Sequence, residues 1–132
     1  MSEVGVKKNA KPLIEAHSMR VRLAPRKMRL VTNLVKGMQV DTAVIQLRFT
    51  HKKGSEILIK LIESAVANAE HNFSLPLTSL KISSVMVNQG PSLKRFMPKA
   101  HGRATPVREP TCHVSLILTG EKVIEVKEEK KL

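Results

Sequence analysis

The sequence predicts one mixed helix-and-strand domain that projects a basic hairpin. Three observations carry this. Apolar residues recur at helical spacing only between residues 25 and 71. Alternating apolar runs flank that block, at 13–22 on one side and at 80–87 and 112–118 on the other. Between the last two lies Gly90–Arg108, which holds five Lys or Arg, three of the chain's seven prolines and no acid. Such a stretch has too few apolar residues for a core of its own and stays disordered unless something outside the domain orders it.

The elements follow in order. Ile14, Ala16, Arg20 and Arg22 suggest a period of two, a strand over 13–22. Ala24-Pro25 opens a helix, because proline at the first helical position loses no hydrogen bond. Met28, Val31, Leu34 and Val35 give that helix an apolar face, and Gly37 stops it. Asp41 is the expected N-cap of a short second helix to about Phe49, with Val44 and Leu47 inward. The third helix, about 52–71, carries two adjacent apolar rows: Ile57, Leu61, Ala65 and Leu58, Ile62, Val66, Ala69. Its small residues Ala65 to Ala69 suit close approach to a sheet. In Leu80–Val87 the alternation changes phase at Ser83-Ser84, which predicts a bulge. Cys112–Leu118 is a strand of the same kind, and an antiparallel pairing of the two makes the basic segment the tip of a hairpin.

Composition narrows the function. At 132 residues the chain is one domain: a basic tail over 1–12, a globular part over 13–120 with a hairpin at about 85–115, and a charged extension over 121–132. Net charge is +12, focused in two places. Residues 7–36 hold nine basic residues against Glu15 alone, and 88–108 hold five against none. Charge gathered this way reads as a footprint for a polyanion. Phe49, Phe73 and Phe96 are the only aromatics, so a platform that stacks unpaired bases is not expected. Cys112 is alone, which excludes an internal disulfide and fits a reducing compartment. No apolar run approaches the roughly 18 residues of a membrane span.

Catalytic and metal chemistry find little support. His17, His51, His71, His101 and His113 are scattered without ligand spacing. There is no glycine-rich phosphate loop and no paired carboxylates, so no catalytic residue, metal, cofactor or small-molecule substrate is expected. The rival reading is a free nucleic-acid-binding regulator that uses helices 25–49 as a helix-turn-helix. An ordinary helical hairpin is the simpler account, since Arg48 is the only cation available to read bases from the second helix.

Three blocks, Leu23–Val31, Glu63–Asn72 and Gly90–Ala104, together resemble the bacterial large-subunit ribosomal protein twenty-two family. The resemblance implies an α+β fold, with three helices packed on a small antiparallel three-stranded sheet and one long extended β-hairpin arm. It implies a cytoplasmic structural constituent of the large ribosomal subunit that binds rRNA and is not an enzyme. Its arm would line the nascent-peptide exit tunnel, with the nascent polypeptide, large-subunit protein four and other large-subunit proteins as neighbours. The rRNA-binding residues expected on these grounds are Arg20, Arg22, Arg26, Lys27, Arg29, Lys36, Lys94, Arg95, Lys99, Arg103 and Arg108. The expected tunnel-lining tip is Met97, Pro98, Lys99, Ala100, His101, Gly102 and Arg103. His101 stands where this family often has Lys or Arg, and Glu109-Pro110 where relatives tend to be basic.

Overall fold

The computed structural model describes residues 12–120, so the tails expected at 1–12 and 121–132 lie outside the described residues, apart from Pro12. The order is β1 (Leu13–Val21), α1 (Pro25–Val35), α2 (Val40–Phe49), α3 (Lys53–Phe73), β2 (Lys81–Gln89), β3 (Leu93–Pro98), β4 (Ala104–Glu109) and β5 (Cys112–Thr119). The fold is α+β, with three helices and antiparallel strands. Its strand count differs from expectation: five strands form two sheets, β1-β5-β2 and β3-β4. The expected three-stranded sheet and hairpin arm are both present, but residues 90–92 and 110–111 leave the ladder and make the arm a separate two-stranded sheet.

One face of the larger sheet is apolar and covered. Ile14, Ile82, Val85, Cys112, Val114, Leu116 and Leu118 point into the core, where they meet Met28, Val31 and Val35 of α1 and Leu58, Ile62, Ala65 and Ala69 of α3. Ala65 and Ala69 are fully buried, and α3 lies close enough for Asn68 Nδ2 to donate to the Glu15 carbonyl at 3.3 Å. Gly54 does the same for α1: a Cβ there would stand 2.9 Å from Met28 Sδ. The opposite sheet face, with Glu15, His17, Met86 and Asn88, is open to solvent.

Two irregularities shape the sheet. Ile82 pairs with Leu118 but Ser84 with Ile117, so the extra residue sits at the Ser83-Ser84 phase change. In β1, Met19 and Arg20 together oppose His113, a bulge that holds Arg20 at φ 56. The Arg20 N–H donates to His113 Nδ1 at 3.0 Å.

The second helix starts two residues earlier than expected, and Asp41 is not its cap. Gln39 precedes the first turn and makes no side-chain cap bond. The Val40 N–H instead donates to the Leu80 carbonyl at 3.2 Å, and Ile82 N–H to the Met38 carbonyl at 2.9 Å. A tertiary contact along the β2 edge thus replaces the local cap, and it covers part of that edge.

Candidate nucleic-acid interface

The fold joins the two basic segments at one end of the domain. Arg20 and Arg22 lie at the end of β1, Arg26 and Lys27 in the first turn of α1, and the arm leaves between the ends of β2 and β5. Three long-range contacts tie them together. Arg22 Nη2 donates to Glu109 Oε2 at 3.2 Å, Arg29 Nη2 to the Val87 carbonyl at 2.9 Å, and Arg20 N–H to His113. Lys36 follows α1 and shares with Arg29 a shallow groove of about 290 Å³ against β2.

The start of α1 is electrostatically awkward in the free protein. Its first turn has no acid and no side-chain cap, and it carries Arg26 and Lys27 at the positive end of the helix dipole. Cations there are unfavourable, and unpaired N–H groups donate readily to anions. An approaching phosphate relieves both problems.

The arm is a regular antiparallel ladder from Leu93↔Glu109 to Pro98↔Ala104. Directly opposed residues share a face, so Lys94 lies beside Arg108, and Phe96 beside Pro106. Phe96 is 74% exposed, and every cation of the arm faces solvent. Among the described residues, no carboxylate pairs with Lys94, Arg95, Lys99, Arg103 or Arg108. Two left-handed residues close the tip, His101 at φ 62 and Gly102 at φ 70, and Lys99 N–H donates to the Arg103 carbonyl at 2.6 Å. Met97, Pro98 and Ala100 are exposed beside them. The arm's base is clamped: Gly90 N–H donates to the Thr111 carbonyl at 2.9 Å, and the buried Thr111 hydroxyl donates to the Pro91 carbonyl at 2.5 Å.

Not all expected residues are equivalent. Arg22 and Arg29 spend one nitrogen each on long-range protein contacts, whereas Arg95 reaches only the neighbouring Lys94 carbonyl and the other arm cations, like Arg26 and Lys27, pair with no carboxylate among the described residues. Glu109, unusual by resemblance, is the partner that fastens the arm to the β1–α1 loop. Acids gather elsewhere: Asp41, Glu63 and Glu70, with Arg48, line a mostly apolar groove between α2 and α3. On α2 the outward residues are Asp41, Thr42, Ile45, Gln46, Arg48 and Phe49, with Arg48 the one cation among them, a surface that offers little charge to hold a nucleic-acid backbone. Lys52 and Lys53 are not among the expected binding residues, yet the fold places them beside Arg48 at the α2–α3 junction. The signal was a lysine pair directly before a helix, hidden because the surrounding stretch is nearly neutral.

Cys112 contributes packing rather than chemistry. Burial pushes its thiol above the ordinary value, and the nearby Arg29 guanidinium offsets part of that. His113, the next residue, is half-buried in the central strand on the opposite face.

The family Ribosomal protein L22p/L17e matches residues 16–119, a span that includes the basic first helix, all of α3 and the whole arm. The chain is therefore a member of the ribosomal protein L22p/L17e family, a structural, rRNA-binding constituent of the large ribosomal subunit with its role in translation.

Proposed function

We propose that residues 13–120 form one rRNA-binding domain of a cytoplasmic ribosome, with its hairpin (about 85–115) lining the nascent-peptide exit tunnel. Arg20, Arg22, Arg26, Lys27, Arg29 and Lys36 hold the globular part on rRNA phosphates. Lys94, Arg95, Lys99, Arg103 and Arg108 hold the arm. The tip, Met97 to Arg103, stands at the tunnel constriction beside protein four, within reach of the nascent polypeptide. Acting as a scaffold, the chain performs no catalysis.

The observation that carries this reading is Lys94 opposite Arg108 on an exposed ladder. Like charges directly across a strand pair are destabilising. A ladder this small is marginal alone, so it needs an anion along its length. RNA backbone supplies one, and the released counterions drive binding. The tip adds a thin, extended shape with no core of its own, which suits a crowded channel wall built of RNA.

The test is assembly of large subunits with Lys94, Arg95, Lys99 and Arg103 all changed to Ala. The reading expects a normally folded globular part, looser retention on subunits at raised salt and altered passage of nascent chains. Retention and passage identical to wild type would refute it.

A further inference from the structure

The N-terminus of α3 opens into a cleft of about 510 Å³ that none of the expected binding residues lines. Its walls include Arg48, His51, Lys52 and Lys53, with Glu56 as the one acid, so it is cationic. Lys52, the residue before the helix, makes no side-chain cap bond. The N–H groups of Lys53 and Gly54 meet no backbone carbonyl among the described residues, whereas the Ser55 N–H is occupied by the Lys52 carbonyl at 3.1 Å. The second, independent sign is Ser55 itself. Ser55 is among the residues that line the cleft, it is only 2% exposed, and its buried Oγ has no hydrogen-bond partner among the described residues. A buried hydroxyl left unpaired is costly, and such groups usually mark a missing partner.

We propose that this cleft is a phosphate site for the RNA backbone, separate from the α1 and arm footprints. Lys53 and Gly54 N–H groups and the Ser55 hydroxyl donate to phosphate oxygens, as helix N-termini do for anions, while Arg48 and Lys52 supply charge. The Lys53 ammonium is partly committed, donating to the Arg22 carbonyl at 3.1 Å. That bond is informative: it ties the cleft to the same end of the domain as Arg22 and, through Glu109, the base of the arm. The phosphate chemistry stands on the geometry alone; only its RNA origin rests on the proposed function.

Two arms test this with the full chain. In the first, inorganic phosphate is titrated at constant ionic strength against wild type, Ser55→Ala, Lys52→Ala and the distant control Lys81→Ala. Saturable amide shifts at Lys53, Gly54 and Ser55, with a raised melting temperature, are expected for wild type and control. Ser55→Ala should melt higher than wild type without phosphate, since it has no unpaired buried hydroxyl, and gain little when phosphate is added. Unsaturable shifts spread over all cations, or a Ser55→Ala protein that binds phosphate like wild type, would overturn the site. In the second arm, the salt dependence of binding to large-subunit rRNA is compared. Lys52→Ala should flatten the log–log slope by about 0.7 to 0.9, because one phosphate fewer is neutralised. Phosphate binding with an unchanged slope would overturn the RNA origin. Failure of the wild-type chain to bind rRNA at all would instead sink the proposed function, and the phosphate arm would still decide the site.

Discussion

Arg22 and Glu109 meet at 3.2 Å across 87 residues of sequence, and their contact joins the β1–α1 loop to the last residue of the arm's return strand. Both side chains are about half exposed, so solvent screens the pair. It acts as a fastener for the arm more than as a source of global stability. A double-mutant cycle on Arg22→Ala and Glu109→Ala should give a coupling of about 0.2 to 1 kcal/mol. Amide exchange in β3 and β4 should quicken in Glu109→Ala while that of β2 and β5 stays unchanged.

Lys94 and Arg108 set opposite expectations for folding and binding. Arg108→Glu replaces a repulsive cross-strand pair with an attractive one and should stabilise the free arm by roughly 0.2 to 1 kcal/mol. The same change should weaken rRNA binding and flatten its salt dependence. Hydrogen exchange on the free protein checks the first part: wild-type residues 93–98 and 104–109 should exchange faster than β2 and β5, and Arg108→Glu should slow them. Strong protection of the wild-type arm would contradict the account.

Leu116, fully buried in the central strand, is a core position with no role at the surface. Leu116→Ala should cost about 2 to 5 kcal/mol in denaturant unfolding. Asp41→Asn with Glu63→Gln and Glu70→Gln should do the reverse of a binding mutation: rRNA affinity stays or rises, because the change removes negative charge that repels a polyanion.

Cys112 predicts the alkaline limb of stability. Its folded thiol titrates above the unfolded one, so the native state holds the proton more tightly. Its contribution is complete below the ordinary value of 9.0 and is lost as pH rises through the raised folded value. Cys112→Val should flatten the fall in stability above that pH, measured by denaturant melts. In the native protein, a thiol reagent should modify Cys112 only on opening of the sheet.

Features set by neighbouring residues were legible in the sequence. The Ser83-Ser84 bulge follows from a phase change in alternation, and the α1 boundaries from Pro25 and Gly37. What depends on distant partners was not. Asp41 has the chemistry of a cap, but the Leu80 carbonyl takes the Val40 N–H and moves the helix start. The Lys94–Arg108 juxtaposition depends on strand register, which the left-handed His101 and Gly102 set at the tip. Glu109 looked like an anomaly in a basic arm until the fold brought Arg22 to it. The unpaired Ser55 hydroxyl is visible only once α3 is packed.

In the proposed function the arm's tip faces the nascent chain in the tunnel. The most direct measurement is site-specific crosslinking from Ala100→Cys, an exposed tip residue, in large subunits that carry stalled nascent chains of stepped length. Crosslinks to the nascent chain are expected over a narrow window of lengths, and none from a cysteine placed at Lys81 on the globular part. Subunits that contain the chain but give no tip crosslink at any length would contradict it.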